Sequence, residues 1–189
     1  MILIGIAGKS GSGKTTFSKY LEQHYSKITR IGVDDIVRSN GLIQKRNEII
    51  LGIVNSTMND EEINYLRQNY ANEISVYVNK RIRLEEIKQT EIVIIDYALL
   101  YELKEIWDKL NYKILITRDE SCTKKGLTNR NGKEHAEILA IVNEKICSNE
   151  EKFEFDYRIF NDDNIKKFYS DIENIVKDIF EKENIKDIF

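Results

Sequence analysis

The sequence predicts an α/β domain in which a parallel sheet of five strands is covered by helices on both faces. Apolar runs suited to buried strands alternate along the chain with stretches of helical periodicity. A glycine-rich loop joins the first apolar run to an amphipathic segment. The length of 189 residues is typical of one domain. We therefore expect a single domain over residues 1–189.

Five apolar runs are predicted to form the sheet. They lack the strict alternation of half-buried strands, which favours strands buried on both faces of a parallel sheet. The runs cover residues 2–7, 29–33, 91–95, 113–117 and 157–160.

Helical periodicity follows the first and second strands and closes the chain. Residues 15–25 place Phe17, Tyr20 and Leu21 on one face. From residue 60 to about residue 88, apolar residues recur at intervals of three and four, and the same spacing predicts a packing helix within residues 164–189. Most of the aromatic residues Tyr65, Tyr70 and Tyr77 are expected in the core, although they have the chemistry to stack on a ligand.

Composition argues against several classes of partner. The formal net charge of −3 gives no electrostatic reason to expect a nucleic acid. No apolar run reaches the roughly 18 residues that a membrane span needs. We therefore expect a protein that binds neither nucleic acid nor membrane. Cys122 and Cys147 have no metal-ligand spacing, so we expect two reduced thiols, as in a cytoplasmic protein.

The glycine-rich loop has the pattern G-x-x-x-x-G-K-[ST], from Gly8 to Thr15, between a strand and a helix. This context predicts a phosphate loop, and with it a three-layer P-loop NTPase fold. Glycines allow backbone N–H groups to point at phosphate oxygens, the lysine reaches the β and γ phosphates, and the Thr15 hydroxyl can bind Mg²⁺. The predicted ATP contacts are Gly8, Ser10, Gly11, Ser12, Gly13, Lys14, Thr15 and Thr16.

Acidic residues follow two of the predicted strands. Asp96 ends the third strand, where a carboxylate can assist Mg²⁺ binding at the carboxyl edge of the sheet. Asp34 and Asp35 follow the second strand. We expect Asp34 to orient an acceptor hydroxyl and accept its proton, and Asp35 to cap a helix that starts near Ile36.

The polar segment between the last two strands is predicted to be a lid. It is rich in basic residues, and we assign a catalytic role to Arg130, which could neutralise phosphate charge after closure. His24 and His135 are interpreted as helix-surface residues. The predicted division is a core of residues 1–38, 89–117 and 146–189, a helical acceptor-binding insertion of about residues 39–88, and a lid of about residues 118–145.

The absence of an Asn-Lys-x-Asp tetrapeptide, which reads guanine in regulatory GTPases, makes that class a minor alternative.

Five segments resemble the dephospho-coenzyme A kinase family and occur in the same order as in that family. Two of them are Val33-Asp34-Asp35-Ile36-Val37-Arg38, similar to Asp-Ala-Asp-x-Ile-Ala-Arg, and Ile94-Ile95-Asp96-Tyr97-Ala98-Leu99-Leu100-Tyr101-Glu102, similar to Val-Leu-Asp-x-Pro-Leu-Leu-Phe-Glu. The others are residues 46–54, 130–132 and 156–161.

The resemblance implies function and site residues. It implies phosphorylation of the ribose 3′-hydroxyl of dephospho-coenzyme A by ATP with Mg²⁺, the last step of coenzyme A synthesis. It places Asp34 on the family's catalytic aspartate, Arg38 and Arg46 near the acceptor, and Asn161 near the adenine.

The sequence also departs from the family pattern. Gly32 replaces the first aspartate, Lys125 or Gly126 stands for the first lid arginine, and a lysine stands at or near the lid-helix glutamine, at Lys145. Two alternatives stay open: a nucleoside or nucleotide kinase, and a nucleotide-binding switch or scaffold without transfer activity.

Overall fold

A computed structural model describes residues 1–162 and 164–185. Its five strands are all parallel and lie in the order β2-β3-β1-β4-β5. The strands are β1 Ile2–Ala7, β2 Ile28–Gly32, β3 Ile92–Asp96, β4 Tyr112–Arg118 and β5 Tyr157–Asn161. The predicted five-stranded parallel sheet is confirmed.

Eight α-helices are formed by the described residues. They are α1 Lys14–His24, α2 Val33–Ser39, α3 Ile43–Val54, α4 Asp60–Ile87, α5 Lys104–Trp107, α6 Glu120–Asn131, α7 Lys133–Ile146 and α8 Ile165–Lys182. Short 3-10 turns cover Leu100–Glu102 and Cys147–Lys152. The part of the predicted final helix at residues 186–189 lies outside the described residues.

Side chains from alternate strand positions enter two separate cores. Leu3, Val93 and Leu115 point to the core shared with α2, α3 and α4, whereas Ile4 and Ile94 point to the core shared with α1 and α8. This alternation follows from the period of two along a strand. It gives three layers, with helices on both faces of the sheet.

The long helix α4 begins and packs much as its sequence predicts. Asn59 accepts a hydrogen bond from the Glu62 backbone N–H at 2.9 Å, and the Glu62 carboxylate accepts one from the Asn59 N–H at 2.9 Å. This reciprocal capping box satisfies donors at the helix start. Tyr70 is buried and Tyr77 packs against the core, but Tyr65 is exposed. The core expectation therefore holds for two of the three tyrosines.

The start of α2 differs from the prediction. The helix begins at Val33 with Gly32 at its N-cap position, so Asp35 lies inside the first turn and is not the cap. The prediction was wrong because the strand ends one residue earlier than its apolar pattern indicates, at Gly32. This shift places Asp34 and Asp35 on the first helical turn beside the sheet edge.

The structure bears on two expectations drawn from composition, the one on membrane spans and the one on the two cysteines. Nowhere in residues 1–162 and 164–185 does a helix combine the length and apolar character that crossing a bilayer requires. Cys122 is a thiol, as expected. The side chain of Cys147 lies outside the described part of the structure.

Candidate active site

The phosphate loop connects β1 to α1 at the carboxyl edge of the sheet. Gly8, Gly11 and Gly13 have φ angles of 139°, 87° and 116°, and α1 starts directly afterwards at Lys14. The Lys14 ammonium folds back over the loop and donates to the carbonyl oxygens of Gly8 at 2.8 Å and Lys9 at 3.0 Å. The backbone, the helix N-terminus and this ammonium together form a site suited to phosphate.

Gly8 tolerates no side chain. A Cβ atom built there would lie 2.2 Å from the backbone oxygen of Ile116, and its φ of 139° is strained for any other residue. We expect Gly8→Ala to lower the free energy of unfolding by more than about 2 kcal/mol. Gly41→Ala is the matched control, because Gly41 also has a positive φ but no atom within 4 Å of a built Cβ. That control should cost only about 1 kcal/mol. Equal losses in urea denaturation would contradict the clash at Gly8.

Three side chains from later parts of the chain hold the loop by its carbonyl groups. Asn161 donates to Ser12 O at 2.9 Å, Arg118 donates to Gly11 O at 2.9 Å, and the Asn143 amide donates to Ser10 O at 3.2 Å. The Asn143 oxygen also accepts from the Ser10 N–H at 3.1 Å. The ends of β4 and β5 and the helix α7 therefore fix the shape of the loop. The sequence analysis assigned no role to Arg118 or Asn143.

A cavity of about 770 Å³, here called the central cavity, lies between the phosphate loop, α3, α4 and the helices α6 and α7. Its volume is within the range of ligand sites. Most of the predicted site residues line it: Ser10, Gly11, Gly13, Lys14, Thr15, Thr16, Asp34, Arg38, Arg46, Arg130 and Asn161. Gly8, Ser12 and Asp96 do not, although Gly8 and Ser12 belong to the loop itself.

Asp96 is buried in a charged cluster beneath the loop. It is 2% exposed, and its Oδ2 accepts from Arg30 Nε at 2.5 Å and from the Ser18 hydroxyl at 2.6 Å. Its Oδ1 accepts from Arg30 Nη2 at 3.3 Å. The parallel register aligns Asp96 with Gly32 of β2 and Ile6 of β1, which explains why a side chain from β2 reaches it.

The Arg30 guanidinium occupies the space above Gly32. A Cβ atom at Gly32 would lie 2.2 Å from Arg30 Nη2 and 2.5 Å from Asp35 Oδ2. Arg30 also donates to Asp35 at 2.8 Å, and Asp35 accepts from Arg38 at 2.7 Å. Bonds from Arg38 and Arg30 together hold the pKa of Asp35 below its usual value. A side chain at Gly32, such as the family's first aspartate, would collide with this guanidinium.

The predicted Mg²⁺ ligands, Thr15 and Asp96, lie in different surroundings. Thr15 lines the cavity, so its hydroxyl can contact an ion that accompanies a bound triphosphate. The Asp96 carboxylate already accepts hydrogen bonds from Arg30 and Ser18, so its direct coordination of Mg²⁺ would require Arg30 to move. Among the side chains that the structure describes, no group of three or more His, Cys, Asp or Glu is placed to hold a metal. The residues present therefore fit an ion that would be held mainly by phosphate oxygens and water, with the Thr15 hydroxyl available as a protein ligand.

The Arg30–Asp96 pair gives a stability prediction. Arg30→Met should lower the free energy of unfolding by about 3 kcal/mol or more, because it leaves the buried Asp96 charge without its partner. The double variant Arg30→Met with Asp96→Asn should recover part of this loss, since no buried charge is left unpaired. Chemical denaturation of both variants measures the difference. If the double variant were less stable than Arg30→Met alone, the pairing account would be contradicted.

The side of the central cavity formed by α3 and α4 contains residues that sequence reasoning missed. Arg67 forms an ion pair with Glu102, 35 residues away in the chain, and both line the cavity with Tyr70 and Tyr97. Burial raises the pKa of Glu102, while Arg67 opposes this rise. Among the predicted residues, Arg46 Nη1 lies 3.8 Å from Asp34 Oδ1. No local motif pairs Arg67 with Glu102, because the contact forms only when α4 packs beside the turn after β3.

The predicted lid region forms the helices α6 and α7. Arg130 lies near the end of α6 and faces the central cavity, and His135, interpreted as a surface residue, also lines it. The Lys145 ammonium donates to the carbonyl of Ile53 at the end of α3, at 3.2 Å. Arg118 lies against Gly126, 3.0 Å from a Cβ built there. An arginine from β4 therefore lies beside Gly126, one of the two residues that the resemblance aligns with the first lid arginine.

Comparisons with known proteins place this site in a family context. The AAA_18 family model, described as an AAA domain, matches residues 4–152. The chain is 29% identical over 129 residues to a uridine kinase of Clostridium tetani, a match covering 62% of each protein. It is 26% identical over 190 residues to a UPF0200 protein of Methanococcus maripaludis, covering 95% of this chain and 98% of that protein.

A solved structure shares the fold at low identity. The shikimate kinase from Acinetobacter baumannii superposes with a TM-score of 0.61 and 13% identity, covering 98% of this chain and 96% of that chain. At this identity the likeness concerns the fold alone. The family model, by contrast, extends from β1 through the phosphate loop and the helices over the central cavity. The chain therefore belongs to the AAA_18 family and has a P-loop, kinase-like phosphotransferase fold, which implies that it binds ATP.

Proposed function

We propose that the protein is an ATP-dependent kinase that phosphorylates the ribose 3′-hydroxyl of dephospho-coenzyme A, giving coenzyme A and ADP. One observation carries the kinase part of this proposal. Lys14 of the phosphate loop and Asp34 of α2 line the same cavity, together with Arg38, Arg46 and Arg130. A cavity with a phosphate cradle, a carboxylate and several arginines has the groups that phosphoryl transfer needs.

The reaction joins the acceptor oxygen to the γ phosphorus and breaks the bond between that phosphorus and the β–γ bridging oxygen. Asp34 orients the acceptor hydroxyl and takes its proton, and ADP leaves with the bridging oxygen. Lys14 and Arg130 stabilise the negative charge on the transferring group and the leaving group. Asp34 is suited to this role because its side chain is about half exposed to the cavity and pairs only loosely with Arg46.

A Mg²⁺ ion bound with the nucleotide would neutralise charge on the β and γ phosphates. Thr15 is the residue that we assign to it. Asp96 has a supporting role in this proposal: it holds Ser18 of α1 and Arg30 of β2 in one hydrogen-bonded cluster below the loop. We propose that α3 and α4 form the acceptor-binding part and that α6 and α7 form the lid.

The choice of dephospho-coenzyme A is supported by the five ordered segments that resemble its kinase family. Two of them, residues 33–38 and 46–54, contribute Asp34, Arg38 and Arg46 to the cavity. A third, residues 94–102, contributes Glu102. These segments are far apart in the chain and meet at one surface, which favours a shared role in binding the acceptor.

A nucleoside kinase is the second candidate, favoured by the match to the Clostridium tetani uridine kinase. The test is ADP release by the purified protein with ATP and Mg²⁺, comparing dephospho-coenzyme A with uridine, other nucleosides and nucleoside monophosphates. We expect saturable turnover with dephospho-coenzyme A. Turnover with a nucleoside alone would keep the kinase assignment and overturn the acceptor. ATP binding with no turnover on any acceptor would favour a nucleotide-binding switch.

A further inference from the structure

On the side of the central cavity formed by α3 and α4, where the acceptor would lie, three buried donor groups have no hydrogen-bond partner among the described residues. They are Nε of Arg46, Nε of Arg67 and the hydroxyl of Tyr70, none of which is hydrogen-bonded within the described residues. All three side chains line the cavity, and Tyr70 is only 7% exposed. Buried polar groups in folded proteins are nearly always paired. Unpaired donors grouped in one cavity therefore indicate a ligand that supplies acceptors.

Two of the three donors come from one helix and the third comes from a helix that packs against it. Arg67 and Tyr70 lie one turn apart on the same face of α4, and Arg46 comes from the neighbouring helix α3. Burial raises the pKa of Tyr70 to about 12, and the nearby positive charge of Arg46 opposes that rise. Tyr70 therefore keeps its proton at neutral pH and acts as a donor. Glu102 holds another nitrogen of Arg67, Nη2, which fixes the guanidinium, while Nε is buried and has no hydrogen-bond partner among the described residues.

The charge of the cavity is opposite to that of the whole chain. Two carboxylates, Asp34 and Glu102, line it, against six cations: Lys14, Arg38, Arg46, Arg67, Arg118 and Arg130. The chain as a whole has a formal charge of −3. Lys14 belongs to the phosphate loop, but Arg46 and Arg67 come from helices outside it. Guanidinium groups are therefore also present where the acceptor would lie, beside the carboxylates of Asp34 and Glu102.

We infer that Arg46, Arg67 and Tyr70 form a subsite for a phosphate group already present on the acceptor. Guanidinium groups bind phosphate through paired hydrogen bonds, and a phosphate has enough oxygens to accept from all three side chains. The inference rests on the proposed kinase function for its definition of the acceptor. It assigns phosphate-bearing acceptors, such as one with a diphosphate, to this cavity, and it disfavours neutral nucleosides.

Binding in the absence of turnover tests the subsite. The phosphate loop is first saturated with the non-hydrolysable analogue AMP-PNP and Mg²⁺, and the complex is then titrated calorimetrically with inorganic pyrophosphate, malonate or adenosine. Arg46→Met and Tyr70→Phe are the test variants, and Tyr70→Phe preserves the shape of the ring. The double variant Arg67→Met with Glu102→Gln removes the third donor without leaving a buried charge unpaired. Arg83→Met is the control, because Arg83 is an exposed arginine of the same helix outside the cavity.

We expect pyrophosphate to bind the AMP-PNP complex more tightly than malonate does. Its affinity should fall about tenfold or more in Arg46→Met and in the double variant, and by a smaller factor in Tyr70→Phe. Arg83→Met should bind like the parent protein, and adenosine affinity should not change in any variant. Unchanged pyrophosphate affinity in all three test variants would overturn the subsite, and tighter binding of malonate would overturn its phosphate class. If this pattern held while dephospho-coenzyme A was not phosphorylated, the acceptor assignment would fail and the subsite would stand.

Discussion

Lys14→Ala is expected to reduce phosphoryl transfer by about 1,000-fold or to background, while the fold is retained. Lys14 is 8% exposed, and its ammonium lies over the loop, where it donates hydrogen bonds to the carbonyl oxygens of Gly8 and Lys9. Triphosphate oxygens would offer it stronger, charged partners. Removing the ammonium takes away positive charge where negative charge develops during transfer. The loss should therefore appear mainly in kcat, measured by ADP release with saturating acceptor.

Lys9→Ala is the matched control for this variant. Lys9 is an exposed lysine of the same loop that does not line the central cavity. We expect Lys9→Ala to keep turnover within a few-fold of the parent protein. Circular dichroism and thermal denaturation of both variants verify the fold. A Lys14→Ala protein that is folded and turns over like Lys9→Ala would contradict the role of the phosphate loop in catalysis.

Asp34→Asn is expected to lower kcat by about 100-fold to 10,000-fold, with ATP binding unchanged. The substitution keeps the shape of the side chain but removes its ability to accept a proton. Asp34 lies outside the phosphate loop, on the first turn of α2, so nucleotide affinity should not depend on it. Rapid-quench measurement of the first turnover separates this chemical step from product release.

Asp108→Asn provides the control for Asp34→Asn, since Asp108 is exposed and lies outside the cavity. Its kcat should equal that of the parent protein. If Asp34→Asn were as active as the parent, Asp34 would not be the proton acceptor. A loss of ATP affinity in Asp34→Asn would also argue against the assignment, because it would place Asp34 on the nucleotide.

The sheet and the phosphate loop could be predicted because their signals are local. The run from Ile2 to Ala7 is apolar throughout, and the loop pattern that follows it has few alternative structures. The long helix α4 was predictable from its apolar spacing. Strand ends differ from the predicted positions by at most one residue, and the second strand ends early because its apolar run continues into the next helix. Val33 is an example: it is fully buried but belongs to α2.

The contacts that complete the site could not be predicted from local patterns. Arg30 lies in an otherwise ordinary strand, and only the packing of β2 beside β3 brings its guanidinium over Gly32 and onto Asp96. Sequence reasoning noted that Gly32 lacks the expected carboxylate, but it had no means of finding the group that fills the space. Asn143 likewise binds Ser10 across 133 residues of chain. Such contacts depend on the tertiary arrangement of the elements.

The central claim is tested most directly by identifying the phosphorylated product. The protein is incubated with ATP labelled in the γ phosphate, Mg²⁺ and dephospho-coenzyme A, and the acceptor is then separated and its mass and ³¹P spectrum are recorded. We predict that the label appears on the ribose 3′-oxygen as coenzyme A, in amounts equal to the ADP formed, and that Lys14→Ala forms none above background. Release of labelled inorganic phosphate with an unchanged acceptor would contradict the proposed function.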